Sequence, residues 1–442
     1  MSARGFRGGV HPPDSKEYSK DKAIEVMPVP ERVVIPLHQN IGAPAQAIVE
    51  PGAKVKKGQI IGMGKGFVST PVHASISGEV KKVGEFPHPS GKDMLAIEIE
   101  SDGEDAWVEG LEEVQDVDSL TPDEIRQKVL AAGIVGLGGA TFPTHVKLAP
   151  PKEKKIEALM LNGAECEPYL TADHRLMIED PDSIIKGLKI LMKALGVDKG
   201  YIGIEDNKPD AVTSLMRAAS GTNIEVISLH VKYPQGAEKQ LIKAILNKEV
   251  PSGGLPMDVG VVVQNVGTAA AVYEAVRYGR PLIERVTTIT GRGVKEPKNL
   301  KVRIGTPTSV LIDSAGGLTE DVSKIIMGGP MMGGGVYTTE VPIVKGTSGV
   351  VVLKSDDIRD RESNPCIRCG RCARACPMLL EPGAMGIFSE RDMFEETEGY
   401  FVMDCIECGC CSYTCPSDRP LVHLFRYAKA AIIKKRQKEG TN

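Results

Sequence analysis

Nine of the ten cysteines in this 442-residue chain fall between Pro365 and Pro416, in two copies of one spacing. The first copy reads Cys366-Ile-Arg-Cys369-Gly-Arg-Cys372-Ala-Arg-Ala-Cys376-Pro377. The second reads Cys405-Ile-Glu-Cys408-Gly-Cys-Cys411-Ser-Tyr-Thr-Cys415-Pro416. Both are C-x2-C-x2-C-x3-C-P, a ligand run for cubane iron–sulfur clusters. Three thiolates at short steps on a tight loop reach three iron corners of one cube. The fourth lies a helical turn further on and faces the other cube, so the two runs exchange their last ligands. This assigns Cys366, Cys369, Cys372 and Cys415 to one [4Fe–4S] cluster, and Cys405, Cys408, Cys411 and Cys376 to the other.

Other uses of these cysteines fit less well. Disulfides need an oxidising compartment, and nothing in the chain points to export. Zinc ribbons use C-x2-C pairs too, but two pairs then serve one metal over a longer spacer, without the x3-C-P ending. Bacterial two-cluster ferredoxins carry the same run, which makes 356–442 a helical 2[4Fe–4S] ferredoxin-like domain. Cys410 falls outside the pattern and reads as a small packing residue. Two neighbouring clusters form a wire for single electrons.

A chain of this length holds two to four domains. Apolar residues at 41% and charged residues at 25% are ordinary for a soluble protein. A net charge of −4 argues against nucleic acid as a partner. No apolar run is long enough to span a bilayer, and the first residues lack the apolar stretch of a signal peptide.

Residues 1–31 are polar and read as an extended arm. From 32 to 118, short alternating segments separated by turn signals indicate a small all-β domain. Its two halves, 49–62 and 74–83, resemble the half-repeats of a biotinyl/lipoyl-type barrel-sandwich domain. The hairpin tip between them, Phe67-Val-Ser-Thr-Pro-Val-His73, has no lysine for a swinging-arm cofactor. A scaffold without an attached cofactor is therefore expected.

Thr121-Pro-Asp-Glu opens a helix with a good cap. Strands expected at 156–161, 200–204, 224–231 and 259–264 then alternate with helices at 183–195, 209–219, 237–246 and 268–278. This makes 119–283 an α/β domain with a mainly parallel sheet. Ligands of such sheets gather at the carboxyl ends of the strands. One informative loop is Gly133-Ile-Val-Gly-Leu-Gly-Gly-Ala-Thr-Phe-Pro-Thr-His-Val-Lys147. Its glycines let backbone N–H groups close on a phosphate or a flat ring, and Lys147 offers a point charge. It departs from G-x-G-x-x-G, because Thr141 stands at the third glycine. A glycine-rich structural turn is the other reading. A second loop, Leu161-Asn-Gly-Ala-Glu-Cys-Glu-Pro168, gathers Asn162, Glu165, Cys166 and Glu167. Its amide and acids suit flavin edges, ribose hydroxyls or a nicotinamide amide, or else are solvated loop charge.

These loops resemble the NADH-binding flavoprotein subunit of respiratory complex I. Gly136-Leu-Gly-Gly-Ala-Thr-Phe-Pro-Thr with Lys147 is similar to its FMN loop. Asn162-Gly-Ala-Glu-Cys-Glu-Pro168 is similar to its N-A-D-E-S-E-P, Gly236-Ala-Glu238 to its G-E-E, and Asn265-Val-Gly-Thr268 to its N-V-E-T. The resemblance implies that Gly136, Gly138, Gly139, Lys147, Asn162, Asn265 and Thr268 hold FMN. Phe142, Glu167 and Glu238 would face NADH, and Glu165 belongs to the same cofactor-binding loop. The family's arginine, aspartate and glutamate are replaced here by Leu137, Ala164 and Gly267.

Over nearly its full length the chain resembles the RnfC family, the C subunits of Rnf electron-transport complexes. Gly8-Gly-Val-His-Pro-Pro13 looks like that family's opening. Arg285-Val-Thr-Thr-Ile-Thr-Gly-Arg-Gly-Val294 and Ile325-Ile-Met-Gly-Gly-Pro-Met-Met-Gly333 look like its β-grasp (SLBB) segment, here 284–355. The chain ends soon after the clusters, where some members carry a long tail. Its basic end, from Lys434, reads as a solvated helix terminus or a contact for anionic headgroups.

The resemblance implies an enzyme subunit that exchanges hydride between NAD(H) and FMN, and single electrons between FMN and two [4Fe–4S] clusters. It would work within a membrane-associated, ion-translocating ferredoxin:NAD+ oxidoreductase. Expected partners are the other Rnf subunits, an iron–sulfur subunit among them, with ferredoxin reached indirectly. The expected location is peripheral, on the cytoplasmic side of the membrane. Hydride transfer needs two rings positioned and water excluded, so no side chain is nominated as an acid or base. The alternatives are a flavin/iron–sulfur cobalamin reductase of a bacterial microcompartment and a non-catalytic ferredoxin-like scaffold.

Overall fold

The protein was analysed as a computed structural model that describes residues 5–358 and 361–439. The expectations for Met1 to Arg4, for 359–360 and for the last three residues of the basic end lie outside those ranges.

Alternation of β-branched and polar residues builds the first domain from two small antiparallel sheets. One orders the strands Arg32–Pro36, Asp93–Ser101, Gly78–Pro87 and Lys54–Val55; the other orders Gln46–Ala47, Ile60–Met63 and Val72–His73. Val33 pairs with Ile99 and Ile35 with Ile97, and these side chains meet Ile61, Val72, Ile76 and Val80 in one apolar core. The lysine-free tip does not swing free. The Phe67 carbonyl bonds Nε2 of His145 at 3.0 Å, and the two rings meet edge to face. This ties the barrel-sandwich domain to the glycine-rich loop of the next one.

That second domain carries a four-stranded parallel sheet in the order Ile224–Leu229, Gly200–Glu205, Ala158–Asn162, Val261–Asn265. The strands and helices fall within a few residues of their expected positions. Thr121 caps the helix Pro122–Ala131 in a reciprocal capping box with Glu124. Helices Pro181–Leu195 and Val266–Tyr278 cross so closely that a Cβ on Gly187 would stand 1.8 Å from the Ala269 carbonyl oxygen. Only glycine fits there.

The β-grasp domain is a six-stranded mixed sheet around the helix Thr308–Ser314. Its edge strand comes from the chain's start, which corrects the reading of the first 31 residues as a mere arm. Ile24–Val26 pairs in parallel with Asn299, Leu300 and Lys301. Upstream, Val10 bridges Tyr233, and Lys16 is buried. The segment is a strap across three domains.

The cysteine-rich region is helical, as expected. Helices Arg371–Ala375, Pro382–Ser389, Phe394–Gly399, Cys410–Tyr413 and Leu421–Glu439 pack around Met385, Val402, Leu421 and Phe425. Among the described residues no helix is long and apolar enough to cross a membrane.

Candidate functional site

The strand Val261–Asn265 runs directly into the helix Val266–Tyr278, and Asn265 caps the junction. Its Oδ1 accepts the N–H groups of Gly267 at 2.8 Å and Thr268 at 3.3 Å. The glycine-rich loop lies over this helix start. It is closed by Gly136 N–H donating to the Phe142 carbonyl at 2.9 Å, and pinned by Leu137 N–H donating to Thr268 Oγ1 at 2.9 Å. Gly138, Gly139 and Ala140 form its exposed crest. A Cβ on Gly139, whose φ is 106°, would point into open space, while one on Gly138 would pack 3.6 Å from the Asn265 Cβ. Open backbone at the positive end of a 13-residue helix suits an anionic, flat ligand. FMN fits that description.

Lys147 comes to the same edge from the short helix Thr144–Lys147. Its Nζ bonds the Val263 carbonyl at 3.0 Å and meets Glu238 at 3.4 Å. Asn162 is the register partner of Asn265 on the adjacent strand. Its Nδ2 donates to the Gly236 carbonyl at 2.7 Å, and its Oδ1 accepts Ala164 N–H at 3.1 Å. Thus Gly136, Gly138, Gly139, Lys147, Asn162, Glu238, Asn265 and Thr268 gather at the carboxyl edge of the sheet. Phe142 is half-buried beside them.

Glu165 and Glu167 are engaged within the chain rather than solvated. Glu165 caps the helix Ala172–Glu179, accepting Asp173 N–H at 2.7 Å and His174 N–H at 3.1 Å. Glu167 accepts Met331 and Met332 N–H from the β-grasp domain at 3.0 and 2.9 Å. Burial pushes its carboxyl up to about 7 despite those two donors.

Sequence reasoning missed three buried cations that shape this edge. Arg285 donates to the carbonyls of Leu137 at 2.7 Å and Lys345 at 2.8 Å, and through Nε to that of Thr347. Burial lowers its guanidinium to about 10, against the pull of Asp173 and Glu165. Asp173 itself is raised to about 7, first by burial and then by Glu165. Lys16 donates to the carbonyls of Glu165 and Glu167 at 2.9 and 3.0 Å. Lys208 donates to the Ala164 carbonyl at 2.7 Å and Glu205 at 3.1 Å. No spacing in the sequence signals them. Two of the three replaced positions prove to be neighbours: a Cβ on Gly267 would stand 3.6 Å from Leu137 Cδ1. The long side chains are lost as a pair.

The two cysteine runs line two separate cavities. Cys366, Cys369, Cys372 and Cys415 line one, of about 400 Å³. Cys376, Cys405, Cys408 and Cys411 line the other. Each set takes its fourth member from the opposite run. Among the described residues no three Cys, His, Asp or Glu side chains converge on a single ion. Ligands placed around a cube stand further apart than ligands of one ion. Burial pushes the Cys405 thiol up to about 11 and raises Cys376 and Cys411 as well. Thiolates in such surroundings need a bound cation. The residues fit two cubane clusters.

The second cavity faces the flavin-type loops. Tyr233 Oη donates to the Cys408 carbonyl at 2.8 Å, Gln240 Nε2 to the Pro377 carbonyl at 3.1 Å, and Gly9 N–H to the Ala375 carbonyl at 2.9 Å. Cys410 is buried here with its sulfur 3.8 Å from the Tyr233 carbonyl. Cys166 packs into the same cluster with Met331. Its thiol is raised by burial.

Four family descriptions match the chain in order. They are the RnfC barrel sandwich hybrid domain at 4–104, the Nuo51 FMN-binding domain at 129–274, the SLBB domain at 286–333 and a 4Fe-4S dicluster domain at 358–416. The C subunit of the proton-translocating ferredoxin:NAD(+) oxidoreductase complex of Clostridium ljungdahlii is 52% identical over 97% of this chain and 94% of its own length. The Na(+)-translocating counterpart of Acetobacterium woodii is 49% identical, over 98% of both chains. The C subunit of the ion-translocating oxidoreductase complex of Rhodobacter capsulatus is 43% identical over 99% of this chain and 85% of its own. Among solved structures, an NAD+-reducing [NiFe]-hydrogenase in the H2-reduced state shares the fold. Its TM-score is 0.52 at 20% identity, over 72% of this chain and 63% of that one.

Proposed function

Because the chain belongs to the RnfC family, the C subunits of ion-translocating ferredoxin:NAD(+) oxidoreductase (Rnf) complexes, we propose that it is the point where such a complex exchanges electrons with NAD(H). The chain combines an FMN-binding domain with a 4Fe-4S dicluster domain, and its part in the complex is electron transfer. FMN, when bound, converts between the electron pair of a hydride and the single electrons that cubane clusters accept.

One observation carries the residue-level reading: the open glycine crest sits on the capped start of the helix Val266–Tyr278, and Lys147 reaches the same edge. Gly136, Gly138 and Gly139 bring backbone close to the flavin, and Lys147 balances its phosphate. Asn162, Asn265 and Thr268 fix the loop ends, while Phe142 and Glu238 flank the nicotinamide side. Glu165 and Glu167 hold the loop in shape through the N–H groups they accept. Arg285 clamps it from the β-grasp domain. No residue transfers a proton to substrate.

The two cysteine sets hold one [4Fe–4S] cluster each. The set of Cys376, Cys405, Cys408 and Cys411 is the inner station, supported by its contacts through Tyr233 and Gln240. The set of Cys366, Cys369, Cys372 and Cys415 is the outer one. The chain is peripheral to the membrane and works with other Rnf subunits, an iron–sulfur subunit among them. It works on the cytoplasmic side, a reading supported by the proposed nicotinamide site, with ferredoxin reached through partners. Matches along the whole chain favour this over a microcompartment cobalamin reductase or a module without its flavin site.

Anaerobic isolation followed by iron, sulfide and flavin analysis and NADH titration tests the reading. The expected result is one FMN and two [4Fe–4S] clusters per chain, bleached by NADH. A colourless flavin fraction with intact clusters would overturn it.

A further inference from the structure

The two cluster loops share one backbone and differ in their side chains. Arg368 and Gly370 take the left-handed conformation at φ 54° and 71°; Glu407 and Gly409 repeat it at 55° and 82°. Leu379 and Asp418, each three residues beyond the fourth cysteine, match at 58° and 47°. Position by position, Arg368 corresponds to Glu407, Arg371 to Cys410 and Arg374 to Tyr413. The inner loop is neutralised and covered. Glu407 bonds Arg426 and Lys429, each at 2.8 Å, and Cys410 is buried against Tyr233.

On the outer loop Arg368, Arg371 and Arg374 are all exposed, and none has an ion pair or side-chain hydrogen bond among the described residues. Of the neighbouring acids, Asp418 is paired with Arg361 and Glu390 with Arg419. Glu381 lines the same cavity, and Glu362 lies just before the loop. Among the described residues the loop thus carries three unpaired arginines with Glu381 and Glu362 as the unpaired acids nearby, in a chain whose net charge is −4. The ligand Cys369 is exposed between these arginines, beside Ile367 at 68% and Tyr400 at 41% exposure. Unpaired arginines around an apolar rim are a typical composition for a protein interface.

We propose that Arg368, Arg371 and Arg374 form a docking collar for the acidic surface of a one-electron redox protein, which exchanges electrons with the outer cysteine set. This deepens, and rests on, the reading of that set as a cluster site. An anionic lipid surface would also meet arginines, but it carries no electron, and the collar surrounds the exposed cluster ligand. The balance is simple. Oxidation of one NADH to NAD+ releases one proton and two electrons, so two partner molecules are each reduced by one electron; the reverse flow consumes the same.

The test compares the holoprotein with R368Q/R371Q/R374Q, whose exposed side chains make no contact needed for folding. Binding of an oxidised, acidic plant-type [2Fe–2S] ferredoxin is read by fluorescence anisotropy at low and high salt. Basic cytochrome c and phosphatidylglycerol vesicles serve as the other arms. The triple variant is expected to bind the acidic ferredoxin roughly tenfold more weakly and to lose most of the salt dependence. Its reduction of cytochrome c by NADH should be undiminished. Equal ferredoxin binding by the two proteins overturns the proposal. So does loss of vesicle binding alone, which would make the collar a membrane contact, or a comparable fall in the reduction of cytochrome c by NADH, which would make it a tuner of cluster potential. If NADH fails to bleach the clusters while the binding difference persists, the flavin reading falls and the collar stands.

Discussion

The carboxylate of Glu167 accepts the backbone N–H of Met331 at 3.0 Å across the seam between the flavin-type and β-grasp domains. Met331 in turn packs its carbonyl against Gly409 of the inner cluster loop, where a Cβ would stand only 2.9 Å away. One acid thus joins the nicotinamide loop to the cluster domain through a single turn of backbone.

Removing that carboxylate leaves the half-buried Met331 N–H unpaired, while the exposed Met332 N–H turns to water. Glu167→Ala is expected to lower unfolding free energy by about 1–2 kcal/mol, and Glu167→Gln by less, since one acceptor remains. Urea midpoints check this. A midpoint unchanged in the alanine variant would show that the seam does not depend on Glu167.

The crossed cysteine sets make an asymmetric prediction. Cys376→Ser should damage the cluster held by Cys405, Cys408 and Cys411, although Cys376 lies in the other run. Low-temperature EPR of paired single-cysteine variants resolves which signal is lost. Damage confined to the cluster of Cys366, Cys369 and Cys372 would contradict the crossing.

At the flavin edge, Lys147→Ala should reduce FMN retention several-fold. Because one interaction lost is ionic, the gap between variant and wild type should narrow as salt rises. Phe142→Ala should slow NADH reduction of the flavin and leave dithionite reduction of both clusters intact. Full flavin content and normal NADH rates in both variants would reduce the loop to a structural turn.

What could be read in the sequence was what is local. Cluster ligation depends on short spacings, so the two cysteine sets were legible before any coordinates. The glycine-rich loop and Asn265 were legible as parts of one ligand edge through the resemblance, whereas the part of Asn265 as a helix cap was not. The helix Ala172–Glu179 was not, because the acid that caps it is Glu165, a loop residue upstream that also serves the site. Arg285, Lys16 and Lys208 were invisible for a similar reason. Each donates to backbone carbonyls of distant segments, and no spacing rule links a lone basic residue to such acceptors. The strand Ile24–Val26 was read as an arm because its partner strand lies far along the chain.

Lys345 gives a pH prediction. Its Nζ donates to the carbonyls of Pro71 at 3.1 Å and Gly133 at 2.8 Å, joining three domains at one buried point. Burial lowers it from its ordinary 10.5 to about 7. The folded protein therefore holds this proton less tightly than the unfolded chain does. The resulting penalty is complete below pH 7 and disappears as pH rises towards 10.5. Between pH 7 and 9 this group alone should add about 2 kcal/mol of stability in the wild type. Lys345→Met should lack that increment when urea midpoints are compared at the two pH values. Parallel pH profiles would mean that the lysine is solvated in the folded state.

The strap at the start of the chain also has a consequence for biosynthesis. Its anchors are Ala375, Tyr233, the carbonyls around Glu165 and the strand Lys298–Arg303. This segment must therefore wait until the chain has been made as far as Ala375 before its last contacts can form. Lys16 can dock beneath the nicotinamide loop once Glu165 and Glu167 exist, whereas the bond from Gly9 to Ala375 of the cysteine domain forms only later. Locking of the strap across all three domains is thus deferred until the cysteine domain has been made.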